Sequence, residues 1–219
     1  MKKRSLIALA LLLLLTTFNS QKKFNLNSIL KIEKIIIVNN FIVKKKYIKK
    51  KLSFLYDTNL FFLKTPNVEK QLIKISFIES FKIKKIYPNT IKITIFEKKP
   101  IVVLQNKQSK YYYTDKGDVI NYINLKEFEN LPIVFGDKEN FKFFYDNLIK
   151  IKFPTNEITK FYLFESKRWD LITKKNQTIK LPIKNYNKSL LNFMNLKYQG
   201  NFEKFEIFDY RINEQLILK

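Results

Sequence analysis

The sequence predicts an α+β protein: one amino-terminal transmembrane helix, a βααββ unit, and then a mostly antiparallel, β-rich domain carrying two helices. Three observations lead there. A basic start, Met1-Lys2-Lys3-Arg4, runs into an apolar stretch with five consecutive leucines at 11–15. Between Ile32 and Ile95 the apolar spacing changes from strand to helix and back to strand. Beyond residue 99, short β-branched and aromatic runs alternate with turn-forming residues.

The first element covers residues 1–22. A spanning helix needs roughly 20 apolar residues, or as few as about 17, and residues 5–21 reach that lower bound if Lys22 and Lys23 extend toward the interface. A cleavable signal peptide is the alternative. Bulky groups in Phe18-Asn19-Ser20 and Thr17-Phe18-Asn19 offer a peptidase no small-residue site, and no Cys is present for lipidation. The expectation is an uncleaved anchor with Lys2, Lys3 and Arg4 in the cytoplasm and the bulk of the chain exported.

The second element covers residues 27–98. Residues 32–38 are rich in Ile and end in Asn39-Asn40, a strand followed by a turn. Val43, Tyr47, Ile48, Leu52 and Leu55 then share a helical stripe, with Lys44, Lys45, Lys46, Lys49, Lys50 and Lys51 opposite. Thr65 is placed to cap a second helix and Pro66 to open it, with Val68, Leu72 and Ile75 on its core face. Two strands follow. Phe81 and Ile83 alternate with lysines; Ile91, Ile93 and Ile95 alternate with Lys92 and Thr94. The turn between them is Tyr87-Pro88-Asn89-Thr90, and Pro100 should stop the last strand from extending.

The third element covers residues 99–219. Residues 101–104 and 110–113 read as strands, Asp115-Lys116-Gly117-Asp118 as a turn, and Val119-Ile120 as the return. Residues 141–151 and 186–198 have helical period. A hairpin runs from Lys167-Arg168-Trp169 to Leu181-Pro182, and residues 205–211 close the domain. Leu216 and Leu218 alternate with Ile217, so residues 212–219 should form or extend an edge strand.

Composition excludes several chemistries. The 219 residues include no Cys and no His, which removes disulfides, Cys/His zinc sites, thiol nucleophiles and His-based triads. No Gly-rich phosphate loop is present, and no cofactor or metal is expected. Asp115 and Asp118 read as turn formers rather than an acid/base pair, Trp169 as core, and Tyr111-Tyr112-Tyr113 as strand. Asn176-Gln177-Thr178 and Asn187-Lys188-Ser189 are chance matches to a glycosylation pattern. The net charge of +23 would suit nucleic acid, but only Arg4, Arg168 and Arg211 are arginines among 42 basic residues. Abundant Lys, Ile, Asn, Phe and Tyr fit a genome drifting toward A and T codons, so neither nucleic acid nor a small-molecule substrate is expected. The Lys-rich face at 44–51 is read as solvated. Residues 22–98 carry 18 basic and 5 acidic side chains against 21 and 14 in 99–219, and this asymmetry could add weak affinity for anionic headgroups.

The pattern Ser76-Phe77-Ile78 … Phe81 … Tyr87-Pro88-Asn89-Thr90-Ile91 … Glu97 … Pro100, with Asn59-Leu60-Phe61 before it, resembles the POTRA (polypeptide-transport-associated) signature of the FtsQ/DivIB family of cell division proteins. The Asp/Gly turn, Leu131-Pro132 … Gly136, the hairpin at Lys167-Arg168-Trp169 and the closing Asp209-Tyr210-Arg211 resemble that family in order. Thr114 and Gln177 depart from it, where the family tends to have Asp and Gly.

The resemblance implies a POTRA domain at 27–98, an FtsQ-type β domain at 99–219, and no catalysis. It implies a single-pass inner-membrane protein, mostly periplasmic, at the division septum. There it would hold the coiled-coil proteins FtsB and FtsL and so act indirectly on the septal peptidoglycan synthase. Carried over by position, the partner contacts fall on Arg211, Ile212, Glu214 and Gln215. Leu216 joins them through the edge-strand reading, and the basic pair Lys167 and Arg168 beside Trp169 is a further candidate. The expected means is β-augmentation, in which a partner segment adds to the open edge by main-chain hydrogen bonds. A POTRA-bearing export factor for unfolded outer-membrane clients is the alternative. It would be expected to carry several POTRA units or a barrel.

Overall fold

The computed structural model describes residues 3–16, 30–198, 204–212 and 215–219. Helix α1 (Lys3–Thr16) is 14 residues long. Leu6, Ile7, Leu9, Leu11, Leu12, Leu13 and Leu14 are each more than half exposed along it. No helix among the described residues is long and apolar enough to cross a membrane. Residues 17–21, the remainder of the expected span, lie outside the described residues.

The globular part of the first unit, Met1–Phe96, runs β1 (Lys34–Val38), α2 (Lys45–Lys51), a 3-10 turn (Ser53–Asp57), α3 (Thr65–Ile73), β2 (Ile78–Ile86) and β3 (Thr90–Glu97). This is the expected βααββ order. The sheet order is β1-β3-β2, with β1 parallel to β3 and Ile35 and Ile37 opposite Ile91 and Ile93. A parallel neighbour needs a crossover, and the two helices supply it. Ile91, Ile93, Ile95, Ile48, Leu52, Leu55, Val68 and Leu72 are fully buried, so the period-two and helical stripes meet in one interior.

Three local expectations are corrected. The stripe 43–55 is not one helix: α2 ends at Lys51 and a 3-10 turn carries Leu55 inward. Tyr47 is 47% exposed beneath the Lys51 ammonium rather than in the core. Thr65 is the first helical residue and caps nothing; Lys64 occupies the cap position without a side-chain bond, while Pro66 sits in the first turn.

The second unit, Glu97–Lys219, contains β4 (Pro100–Gln105), β5 (Lys110–Thr114), β6 (Val119–Asn121), β7 (Ile133–Phe135), α4 (Lys138–Lys150), β8 (Ile158–Leu163), β9 (Trp169–Thr173), β10 (Thr178–Lys180), α5 (Tyr186–Tyr198), β11 (Ile207–Asp209) and β12 (Ile217–Leu218). Pro100 thus opens β4, and β3 has already stopped at Glu97. The described strands form one sheet ordered β12-β11-β10-β9-β8-β7-β4-β5-β6. The pairs β4–β7, β7–β8 and β10–β11 are parallel, with α4 and α5 crossing over in the last two. The remaining neighbours are antiparallel. At the β5–β6 turn Gly117 takes a left-handed φ of 83°, and the Thr114 hydroxyl accepts the Asp118 N–H at 3.0 Å, the turn role expected of an Asp there.

Register sorts the side chains by face. Leu104, Val134, Phe161, Leu171, Ile179, Phe208 and Leu218 lie in one row across the sheet. That row packs under the helices, with Phe141 edge-on to Phe161 at 5.5 Å and Phe193 edge-on to Phe208 at 5.0 Å. Trp169 stacks on Phe144 at 4.7 Å, as its core reading requires. The adjacent row, Gln105, Phe135, Tyr162, Asp170, Lys180, Asp209 and Ile217, occupies the face away from the helices.

Candidate functional site at the carboxy-terminal sheet edge

Strand β12 closes the sheet with only two residues. It stays in place because its side chains alternate: Leu216 and Leu218 pack against the core while Ile217 is 37% exposed. The Lys219 N–H donates to the Ile207 carbonyl at 3.1 Å, and the Lys219 carbonyl accepts from Ile207 N–H at 3.0 Å. Lys219 therefore turns its backbone groups inward toward β11. By antiparallel alternation Ile217 does the same, and the N–H and C=O of Leu216 and Leu218 point away from β11. This makes the outer side of β12 a row of donors and acceptors beside exposed apolar surface.

Beside this edge, Asp209 and Arg211 form a two-point pair. Arg211 Nη2 donates to Asp209 Oδ2 at 2.6 Å, and Nε donates to Oδ1 at 2.8 Å. These bonds hold the Asp209 carboxyl below its ordinary value against the opposing effect of burial. Two strands away, Arg168 Nε donates to Asp170 Oδ1 at 3.2 Å, but burial dominates and pushes the Asp170 carboxyl up. Lys180 stands between them, directly opposite both carboxylates in the register. The result is a charge ladder Arg168, Asp170, Lys180, Asp209, Arg211 across β9, β10 and β11.

The expected site residues divide. Arg168 and Arg211 meet the same ladder, and Asp170 feels both. Lys167 is exposed in the preceding turn at φ 62° and does not share the contact that Arg168 makes with Asp170. Ile212, Gln215 and Leu216 line a cleft of about 370 Å³ with Ser189 and Asn192 of α5. Tyr210 forms part of its wall, donating its hydroxyl to Asn192 Oδ1 at 3.0 Å. Glu214 lies outside the described residues.

Asp170, Lys180 and Asp209 were not anticipated. The signal was present: Arg168-x-Asp170 and Asp209-x-Arg211 put opposite charges two apart at a strand's end, each Arg one or two residues outside its strand. Among the described residues no group of acidic side chains is arranged to hold a metal ion. Asp118 pairs with Lys98 at 3.0 Å in its turn. The site is an edge with an electrostatic border, suited to hold another backbone.

A βααββ unit followed by a β-rich unit, whose sheet ends at β12 among the described residues, defines an α+β protein of two units. Residues 30–98 match the POTRA domain, FtsQ-type. The chain is similar to cell division protein FtsQ of Rickettsia felis, 28% identical over 186 residues, spanning 82% of this chain and 69% of that one. FtsQ of Rickettsia conorii gives the same coverage at 28% identity over 189 residues, and FtsQ of Rhizobium meliloti is 25% identical over 129 residues, 58% of this chain and 42% of that one. Over 82% of its length the chain is thus similar to FtsQ cell division proteins, and residues 30–98 carry the FtsQ-type POTRA match.

Proposed function

We propose that this protein is a single-pass inner-membrane scaffold of the bacterial division machinery and not an enzyme. It would hold FtsB- and FtsL-type coiled-coil partners at the septum through its periplasmic part. Homologues named as cell division proteins support the divisome role. A helix that is apolar on all sides, as α1 is, supports the anchor.

The observation that carries the reading is the outer side of β12, with which no strand among the described residues pairs. An incoming segment can add a tenth strand there, continuing the ladder through Leu216 and Leu218. Arg211 remains 45% exposed while Asp209 fixes its orientation, so its remaining donors can meet an acidic partner side chain.

The test replaces one outward backbone donor. Leu218→Pro deletes an N–H that does not serve β11, while Leu218→Ala loses similar packing and keeps the donor. Capture of an FtsB-type partner from crosslinked dividing cells should fall at least about tenfold in the first variant, the loss of roughly 1.4 kcal/mol, and much less in the second. Equal capture by both would move the interface off this edge. A reporter fused at Lys219 tests the topology, and cytoplasmic signal would refute the periplasmic placement.

A further inference from the structure

One end of the first unit carries a built apolar display that the divisome reading does not use. The starts of β1 and β3 and the finish of β2 lie together there. The chain arrives at this end: the Leu60 N–H donates to the Leu30 carbonyl at 2.7 Å, and Lys31 bridges to Asn59. The β2–β3 turn is held beside it, with the Asn89 carbonyl accepting from Glu33 N–H at 2.9 Å.

The loop 59–63 is fixed from several directions. Leu60 and Leu63 are buried. Asn59 Oδ1 accepts the Phe61 N–H at 2.9 Å, and Lys85 Nζ donates to the carbonyls of Phe61 at 3.2 Å and Leu63 at 2.9 Å. Between these anchors Phe61 and Phe62 project edge to face at 5.2 Å, 60% and 70% exposed. Tyr87, in the neighbouring turn, is 55% exposed. A collapsed loop would hide such rings; this one is held so that they stay out. Lys31, Lys34 and Lys64 are exposed at the same end, and the nearby acidic residues are Glu33, bonded to Asn89, and Asp57, paired with Lys31 at 3.4 Å.

We infer that this end of the first unit docks on the anionic surface of the membrane, with Phe61 and Phe62 in the headgroup boundary and Lys31, Lys34 and Lys64 among the lipid phosphates. The inference rests on α1 being the anchor. Thirteen residues, 17–29, join α1 to Leu30, and a chain of that length spans at most about 45 Å. The surface is therefore tethered close to the bilayer. Aromatic rings flanked by lysines are suited to that boundary, where apolar burial and attraction to anionic headgroups add.

The test uses the full chain in vesicles of phosphatidylglycerol and phosphatidylcholine, with and without bromine on the acyl chains. Phe62→Trp reports at the proposed contact. Phe41→Trp reports at the opposite end of the sheet, where Phe41 is 83% exposed and the neighbouring Asn39 bonds the Ile95 carbonyl. The native Trp169 signal is subtracted using unsubstituted protein. Brominated lipid should quench Phe62→Trp about twofold or more and leave Phe41→Trp unchanged, and the quenching should weaken in phosphatidylcholine alone or when Lys31, Lys34 and Lys64 are changed to Gln. Phe62→Trp quenched no more than Phe41→Trp overturns the docking. Resistance of the same protein to carbonate extraction judges the anchor separately: an anchored chain without quenching refutes only the docking, and quenching in an extractable chain refutes only the anchor.

Discussion

Asp170 and Asp209 sit in one row of the sheet and flank Lys180, but their surroundings push the two carboxyls in opposite directions, burial raising Asp170 and the Arg211 bonds lowering Asp209. Asp209 is lowered chiefly by the bonds from Arg211, so its contribution is complete above the ordinary carboxylate range near 4 and is lost as pH falls through the lowered value. Asp170 is raised by burial in spite of Arg168, so its ionised form costs stability at neutral pH, and that cost disappears as pH falls through the raised value. Asp209→Asn should therefore cost about 1 kcal/mol at neutral pH, allowing for the exposure of Arg211, and the gap from wild type should close in acid. Asp170→Asn should be neutral or stabilising at neutral pH, because the amide can still accept from Arg168 without a buried charge. Thermal melts at neutral pH and near pH 3 check both, and equal losses from the two variants would contradict the assignment. The period-two spacing of these pairs was legible in the sequence. Which carboxylate would be the more deeply desolvated was not, because that depends on what the neighbouring strands bring over it.

At the scale of elements, strict alternation was the readable signal. Ile91, Ile93 and Ile95 are fully buried, and the lysine and threonine between them are half-buried. Ile93→Asp should unfold the first unit, since an unpaired buried carboxylate costs several kcal/mol. Lys92→Asp, on the other face, should move the melting temperature little, and matching shifts would mean the register is wrong. Short elements were less legible. Strand β11 has three residues, too few to announce that it pairs parallel with β10 after a helical crossover. The edge at 212–219 was expected from two leucines and an isoleucine, but the strand proper is Ile217–Leu218. Tyr47 and Thr65 failed for a shared reason. A helical stripe fixes a face but not its borders, and a cap-forming residue next to Pro can equally be the first residue inside the helix.

At the scale of the whole chain, the buried cluster of the second unit draws only on residues of that unit, so damage in the first should leave it folded. The second interior is organised around aromatic packing. Phe144 is 1% exposed, stacks on Trp169 at 4.7 Å, and lies 5.3 Å from the Tyr186 ring and 6.3 Å from Phe161. Removing that ring should cost about 3–5 kcal/mol, against a total stability of about 5–15 kcal/mol for a domain. The edge β12 depends on this interior through Leu218, Phe208 and Phe193, and not on Ile93. Phe144→Ala should therefore weaken partner capture and speed amide exchange through β8 to β11, while exchange in β1 and β3 stays slow. Ile93→Asp should do the reverse, collapsing protection in β1 and β3 while capture at the sheet edge persists. Hydrogen exchange read by mass spectrometry, run beside the same pull-down, separates the two patterns. Loss of capture in Ile93→Asp with β8 to β11 still protected would show that the first unit contributes directly to partner binding, and the open edge of β12 would then be only part of the interface.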